Sequence, residues 1–162
     1  MDYHPVVYKI RGVLEENHFW FEVFEHGEVH TSEEAAKTRP GYTLGQGAKA
    51  MIISAKNNDD DKKFVMLVFP ADLRFDNGKV KKALSAKDIR FASSDEINRL
   101  TGGVKIGGVP PFGNFFDIEV YADPKLFLNE KIVFNAGDRR YSIAMKSEDY
   151  KKIVNPKVEE IT

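Results

Sequence analysis

The chain contains no cysteine, and none of its four histidines lies beyond residue 30. The first absence removes a thiolate nucleophile, a thiolate-ligated metal and a disulfide framework together, and it suits a reducing cytoplasm. The second leaves any Ser–His pairing to depend on a histidine from the first fifth of the chain. Long apolar runs are missing too, and those present are interrupted by lysine and aspartate, so no segment reads as a membrane span. The opening residues "MDYHPVVYKIRG" lack a basic stretch followed by an apolar one, so no secretory signal is expected. A net charge of −1 provides no broad basic field for nucleic acid. Contact with nucleic acid would have to run through a local patch.

What is present fits a folded globular chain. Hydrophobic residues make up 42% and charged residues 30% of 162 residues, enough for one core and against disorder. Neither repeats nor low-complexity linkers divide it, so residues 1–162 read as a single domain.

Apolar periodicity predicts a helix over 4–17, with Val6, Ile10, Val13 and Leu14 on one face and Pro5 in its first turn. The aromatic run 19–26 reads as a strand. Thr31 and Glu34 have the spacing of a capping box, as do Ser93 and Glu96 ahead of a helix over 93–103. Residues 47–55 and 63–70 read as strands joined through the polar turn "KNNDDDKK". A short helix over 76–85, strands at 88–92, "FFDIEVYAD", "KIVFNAG" and "RYSIAM", and a final helix capped at Ser147 complete the pattern. Strands that do not alternate regularly with long helices predict an α+β domain, with a mixed, mostly antiparallel sheet and short helices around it. Trp20 and Phe116 are assigned to the core rather than to an interface.

The usual marks of catalysis are scarce. His26 and His30 have the i, i+4 spacing of a helical zinc pair, but Gly27 lies between them and HExxH is absent, so no metal is expected. GxSxG is missing. "GQGAKA" has the look of a dinucleotide loop but precedes a strand instead of opening a helix. The basic cluster Lys79, Lys81, Lys82, Lys87 and Arg90 reads mainly as a solvated helix face, with tracking of a nucleic-acid backbone as the alternative.

Two features remain. Lys49 sits near the start of an otherwise apolar strand, where alternation would turn it outward, unless its ammonium projects into a cavity to meet an anion. "GGVPPFG", from Gly107 to Gly113, is either a plain turn or a stiff loop. As a stiff loop, its prolines fix φ and its glycines admit a ligand close to the backbone.

Four pieces in order, "HTSEEAA" (30–36), "GAKAM" (47–51), "GGVPPFG" (107–113) and "NAGDRRYSI" (135–143), resemble the YbaK/ProX family of aminoacyl-tRNA deacylases. That family is homologous to the editing domain inserted in bacterial prolyl-tRNA synthetases. The likeness runs from about residue 25 to 153. It implies a mixed sheet curled toward a barrel, with a pocket between the lysine strand and the Gly/Pro loop. It also implies ester hydrolysis at the terminal adenosine of a mischarged tRNA, without a cofactor. Lys49 corresponds to the family's required lysine, and Gly108, Pro111 and Gly113 to its GxxPxG motif. His30 and Thr31 match the early motif, and Asn135, Ala136 and Gly137 the late (S/N)-A-G turn; all eight are expected to bind substrate around Lys49. Some branches use a histidine late in the domain, and this chain has none there. The implied partners are the tRNA acceptor end and an aminoacyl-tRNA synthetase, in the cytoplasm and away from membranes. Two readings of other classes stay open: a non-catalytic module that binds tRNA ends or an aminoacyl-nucleotide, and a small-molecule ester or amide hydrolase.

Overall fold

The first helix forms where periodicity places it. A computed structural model of the chain describes residues 2–162, and in it α1 (Pro5–Glu16) buries Val6, Val7, Ile10 and Leu14. Pro5 starts the helix with φ already set, and His4 Nδ1 accepts a hydrogen bond from Val6 N. Its apolar stripe lies against β6 (Lys131–Asp138).

The strands form two sheets. One has the order β1 (Phe21–Glu25), β7 (Tyr141–Lys146), β6, antiparallel throughout. The other has the order β4 (Asp88–Phe91), β2 (Ala48–Lys56), β3 (Lys62–Pro70), β5 (Glu119–Ala122), β8 (Lys157–Val158). The β2–β3 hairpin and the β2–β4 pairing are antiparallel, while β3–β5 and β5–β8 are parallel. A single parallel bridge, Gly47 to Val133, links the two sheets, which do not close into one barrel. The architecture is therefore the expected α+β one, with its mixed pairing split over two sheets.

β3 explains the core. It is flanked by strands on both edges and buried from Val65 to Pro70, as a near-continuous apolar run requires. Its alternate residues feed two cores: Met66 and Val68 join the large cluster with α1, while Val65, Leu67 and Phe69 join a smaller one with Val80 and Ile161. The smaller core is closed by Asp123, 1% exposed, whose Oδ2 accepts the N–H groups of Ile161 and Thr162 at 2.9 Å each.

The remaining helices are α2 (Ser32–Lys37), α3 (Asn77–Leu84), α4 (Ser94–Thr101) and α5 (Ser147–Val154). The Ser93–Glu96 capping box is complete. At α2, Thr31 accepts from Glu34 N, but the Glu34 carboxylate takes the N–H of His30 rather than that of Thr31. At α5 the sequence expectation fails: Lys146 is the capping position, and the buried Ser147 hydroxyl donates to Asn129 O at 2.6 Å. Ser147 follows β7 directly, so its side chain turns into the fold instead of over the helix end. Trp20 is 40% exposed under the Lys131 ammonium rather than buried, and Phe116 is half-buried. Among the described residues no helix is long and apolar enough to cross a membrane.

Candidate functional site

The β4 strand covers only half of β2. Its register runs from Ile53 to Lys56, so Ala48–Met51 have β3 on one side and no strand on the other. A cavity of about 760 Å³ opens along this uncovered half. Its walls come from β2, the α2 segment, the turn after β3, the Gly/Pro loop and β6.

Lys49 stands on that stretch, exposed, at the cavity wall, with no hydrogen bond or ion pair to the described residues. Outward alternation and projection into a cavity, the two readings of its position, thus coincide: the outward face of β2 here is the cavity. Arg74 also lines it, as do the carboxylates of Glu33 and Asp72.

The Gly/Pro loop divides in two. Ile106, Gly107 and Val109 line the cavity. Gly107 takes φ +87°, a left-handed conformation that favours glycine. The N–H groups of Gly107 and Val109 make no hydrogen bond within the described residues. Both parts are anchored from behind. Asn135 Nδ2 donates to Gly107 O at 2.7 Å, Arg139 Nε to Ile106 O at 2.6 Å, and the Tyr150 hydroxyl to Pro111 O at 2.6 Å. Burial pushes the Tyr150 phenol well above the usual range, so it stays a donor. Phe112 is fully buried among Phe115, Phe134 and Tyr150.

The nine residues singled out from sequence fall into two groups. His30, Thr31, Lys49 and Asn135 line the cavity. Gly108, Pro111, Gly113, Ala136 and Gly137 are buried behind it. Gly113 packs so tightly on Ile118 and Val120 that a Cβ would stand 2.5 Å from Ile118 O. Ala136 and Gly137 lie in a bulge of β6, and Gly137, at φ +109°, brings that strand against Val6 of α1. These five shape the Gly/Pro loop and β6, the strand that carries Asn135.

The histidine pair separates as well. His26 Nε2 lies 2.8 Å from Ser142 Oγ, while His30 is exposed. No group of three or more potential metal ligands occurs among the described residues. Of the basic cluster, Lys87 pairs with Asp60, Arg90 with Glu96, and Lys79 Nζ with Thr162 O.

Arg39 is what sequence reading missed. It lines the cavity at 6% exposure, and its guanidinium is held by two neutral oxygens: Nε donates to Ser142 Oγ and Nη2 to Asn135 Oδ1, both at 3.0 Å. Burial lowers its pKa to about 10. The signal was a pair of polar residues, Asn135 and Ser142, inside two apolar strands, but nothing near Arg39 pointed to them.

The chain is also similar to known proteins in sequence and in fold. The family model of the aminoacyl-tRNA editing domain matches residues 26–153. The multifunctional Ser/Thr-tRNA deacylase ProXp-y of Escherichia coli is 34% identical over 139 residues, covering 85% of this chain and 81% of the relative. A proline–tRNA ligase of Caldicellulosiruptor bescii is 33% identical over 115 residues, which cover 71% of this chain but 18% of the ligase. In fold, the chain is similar to a crystal structure described as a candidate trans-editing enzyme for prolyl tRNA synthetase, at a TM-score of 0.80 and 23% identity over 99% of both chains. With the model spanning most of its length, the chain belongs to the aminoacyl-tRNA editing domain family.

Proposed function

We propose that the protein is a trans-editing hydrolase that removes a wrongly attached amino acid from tRNA by cleaving the ester at the terminal adenosine. The observation that supports this best is one cavity lined by both a lysine and loop residues whose N–H groups, like the lysine, have no partner among the described residues. Water adds to the ester carbonyl, the bond from that carbon to the ribose oxygen breaks, and the amino acid and the freed ribose hydroxyl leave. An ester is activated, so the work is positioning and stabilising the oxyanion. Gly107 and Val109 N–H are the donors for that charge. Lys49 holds the phosphate of the terminal nucleotide and so sets the ester against the loop. The vicinal ribose hydroxyl of the substrate helps to activate water. His30, Thr31 and Asn135 complete the contact surface, and Gly108, Pro111, Gly113, Ala136 and Gly137 act by holding the loop and the β6 bulge in shape. The reaction belongs in the cytoplasm, on tRNA acceptor ends delivered by diffusion or by a synthetase partner.

The test is deacylation of a panel of mischarged tRNAs by wild type and Lys49→Ala in parallel. The expected result is hydrolysis of one or two of them, reduced at least about 10- to 150-fold in the variant, as loss of a charge-assisted hydrogen bond implies. An unchanged rate in Lys49→Ala would remove lysine from the mechanism. Binding of tRNA with no hydrolysis of any ester would replace the enzyme with a non-catalytic binding module.

A further inference from the structure

A single exposed phenylalanine is ordinary on a protein surface, but Phe91 is singled out by where it stands. It is 58% exposed and lines the cavity. Of the twelve phenylalanines, all among the described residues, it alone is neither buried nor half-buried. It ends β4 at the point where that strand stops covering β2, opposite Ile53. Residues directly opposite in an antiparallel pair share a face of the sheet, as do alternate residues along one strand. Phe91 therefore lies on the face of Ile53, Met51 and Lys49, and Phe69, the partner of Lys49, lies on it too. Its ring is also held. It meets Phe75 edge to face with centroids 5.7 Å apart, and Phe75 meets the buried Phe69 in the same way at 6.1 Å. This row ties an exposed ring to the smaller core, and one edge-to-face contact covers at most one of its two faces.

A fixed aromatic face at the edge of a cavity suits a flat π-system. The exposed Lys49 and Arg74 line the same cavity and suit an anion. A ligand that joins a flat ring to an anion is a nucleotide. From Lys49 to Ile53, the partner of Phe91, is about 13 Å along β2. The lysine stem, a phosphate and a sugar carrying its base fill such a gap. We propose that Phe91 is a substrate-binding residue on which the terminal adenine of the tRNA stacks while the phosphate of that nucleotide sits on Lys49. This rests on the reading of the cavity as an aminoacyl-ester site. Ala48, Ala50 and Ile52 point to the opposite face of β2, into the large cluster against which Val109 of the Gly/Pro loop packs. The uncovered edge of β2 thus divides the substrate, with the base on the Phe91 side and the aminoacyl group on the loop side. Stacking is tolerant of base identity, so Phe91 supplies affinity and placement rather than a choice among bases.

The experiment takes an aminoacyl-tRNA that wild type hydrolyses and the same tRNA charged on an abasic terminal nucleotide, which keeps phosphate, ribose and ester. It compares kcat/KM on both for wild type, Phe91→Ala, Phe91→Leu and Phe91→Trp. Wild type should favour the intact substrate by about 5- to 150-fold, the equivalent of one base stacked on an aromatic side chain. Phe91→Ala should lose that factor on the intact substrate and leave the abasic one unchanged. Phe91→Leu keeps apolar bulk without a π-face and should behave like alanine, whereas Phe91→Trp should retain the preference. A structural role alone would depress both substrates together, and that result, or no loss on either, overturns the proposal. So does a leucine variant that matches tryptophan. The wild-type ratio is readable even if every variant fails to fold, and a ratio near one overturns the proposal by itself. If wild type hydrolyses no ester of a wide panel, the deacylase reading fails and takes this inference with it. If it hydrolyses the intact and abasic substrates alike, only this inference falls.

Discussion

Two glycines separate close packing from backbone strain. Gly137 takes φ +109°, and a Cβ there would fall 2.1 Å from Val6 Cγ1. Gly102, the left-handed cap of α4, takes φ +69° with nothing within 4 Å. Alanine at 102 meets only the left-handed strain, about 1–2 kcal/mol. Alanine at 137 meets comparable strain and must also push α1 off β6, at a further cost of about 1–3 kcal/mol. Urea denaturation should therefore rank Gly137→Ala well below Gly102→Ala in midpoint, with wild type above both. The same scale shows what a sequence can and cannot disclose. Lys49 is legible because a lone lysine breaks an apolar strand, and Gly107 because glycine beside proline signals special backbone geometry. Arg39 looks like any surface arginine before a proline; its partners are 96 and 103 residues away, and only the fold brings them together. Ser147 misleads for the same reason, since its hydroxyl goes to Asn129 across a chain reversal.

Helices here are mostly written into local sequence. The boundaries of α4 follow from Ser93, Glu96 and Gly102, and all three behave as capping chemistry dictates. Glu96 also receives both ends of the Arg90 fork, Nη1 at 2.7 Å and Nη2 at 2.9 Å. These bonds, with the N–H of Ser93 next in weight, hold its carboxyl down to about 2 from 4.5. Because the folded-state value is depressed, the group favours the folded state above pH 4.5 and loses that contribution as the pH falls from 4.5 through about 2. Glu96→Gln should therefore lower the melting temperature near neutrality and narrow its gap to wild type as pH drops through that window. A thermal scan by circular dichroism at several pH values checks it; a constant gap would rule the linkage out. Strands were less legible than helices. The two-residue β8 has no pattern to read, because its pairing with β5 depends on where Asp123 pins residues 161 and 162.

At the scale of the whole molecule, the α+β class followed from the order of elements, but the division into two sheets did not. Nothing local in Gly47 or Val133 says that one bridge will join the sheets, nor that β4 will stop short and leave the cavity uncovered. Asp123 holds the far side of the molecule together. Burial works to raise its pKa, but the N–H groups of Ile161 and Lys125 and the Thr162 contacts outweigh it and keep the carboxyl below its usual range. Asp123→Ala leaves those donors without their acceptor and opens the smaller core at Ile161. The expected loss is on the order of 3 kcal/mol, measurable as a fall in the urea midpoint. Retention of the midpoint would mean that solvent replaces the carboxylate at no cost.

The parallel pairing of β3 with β5 also sets an order in time. The β2–β3 hairpin needs only neighbouring residues, so it can close as soon as that part of the chain exists. The other edge of β3 finds its partner only when Glu119–Ala122 arrive, and the smaller core closes only with Ile161. Contacts so distant in sequence are slow to form. During that interval the most apolar strand of the protein has one bare edge, the kind of surface on which chains join one another instead of folding. The strand that gives the finished molecule its two cores is, for the unfinished one, the place where it is most exposed to misassembly.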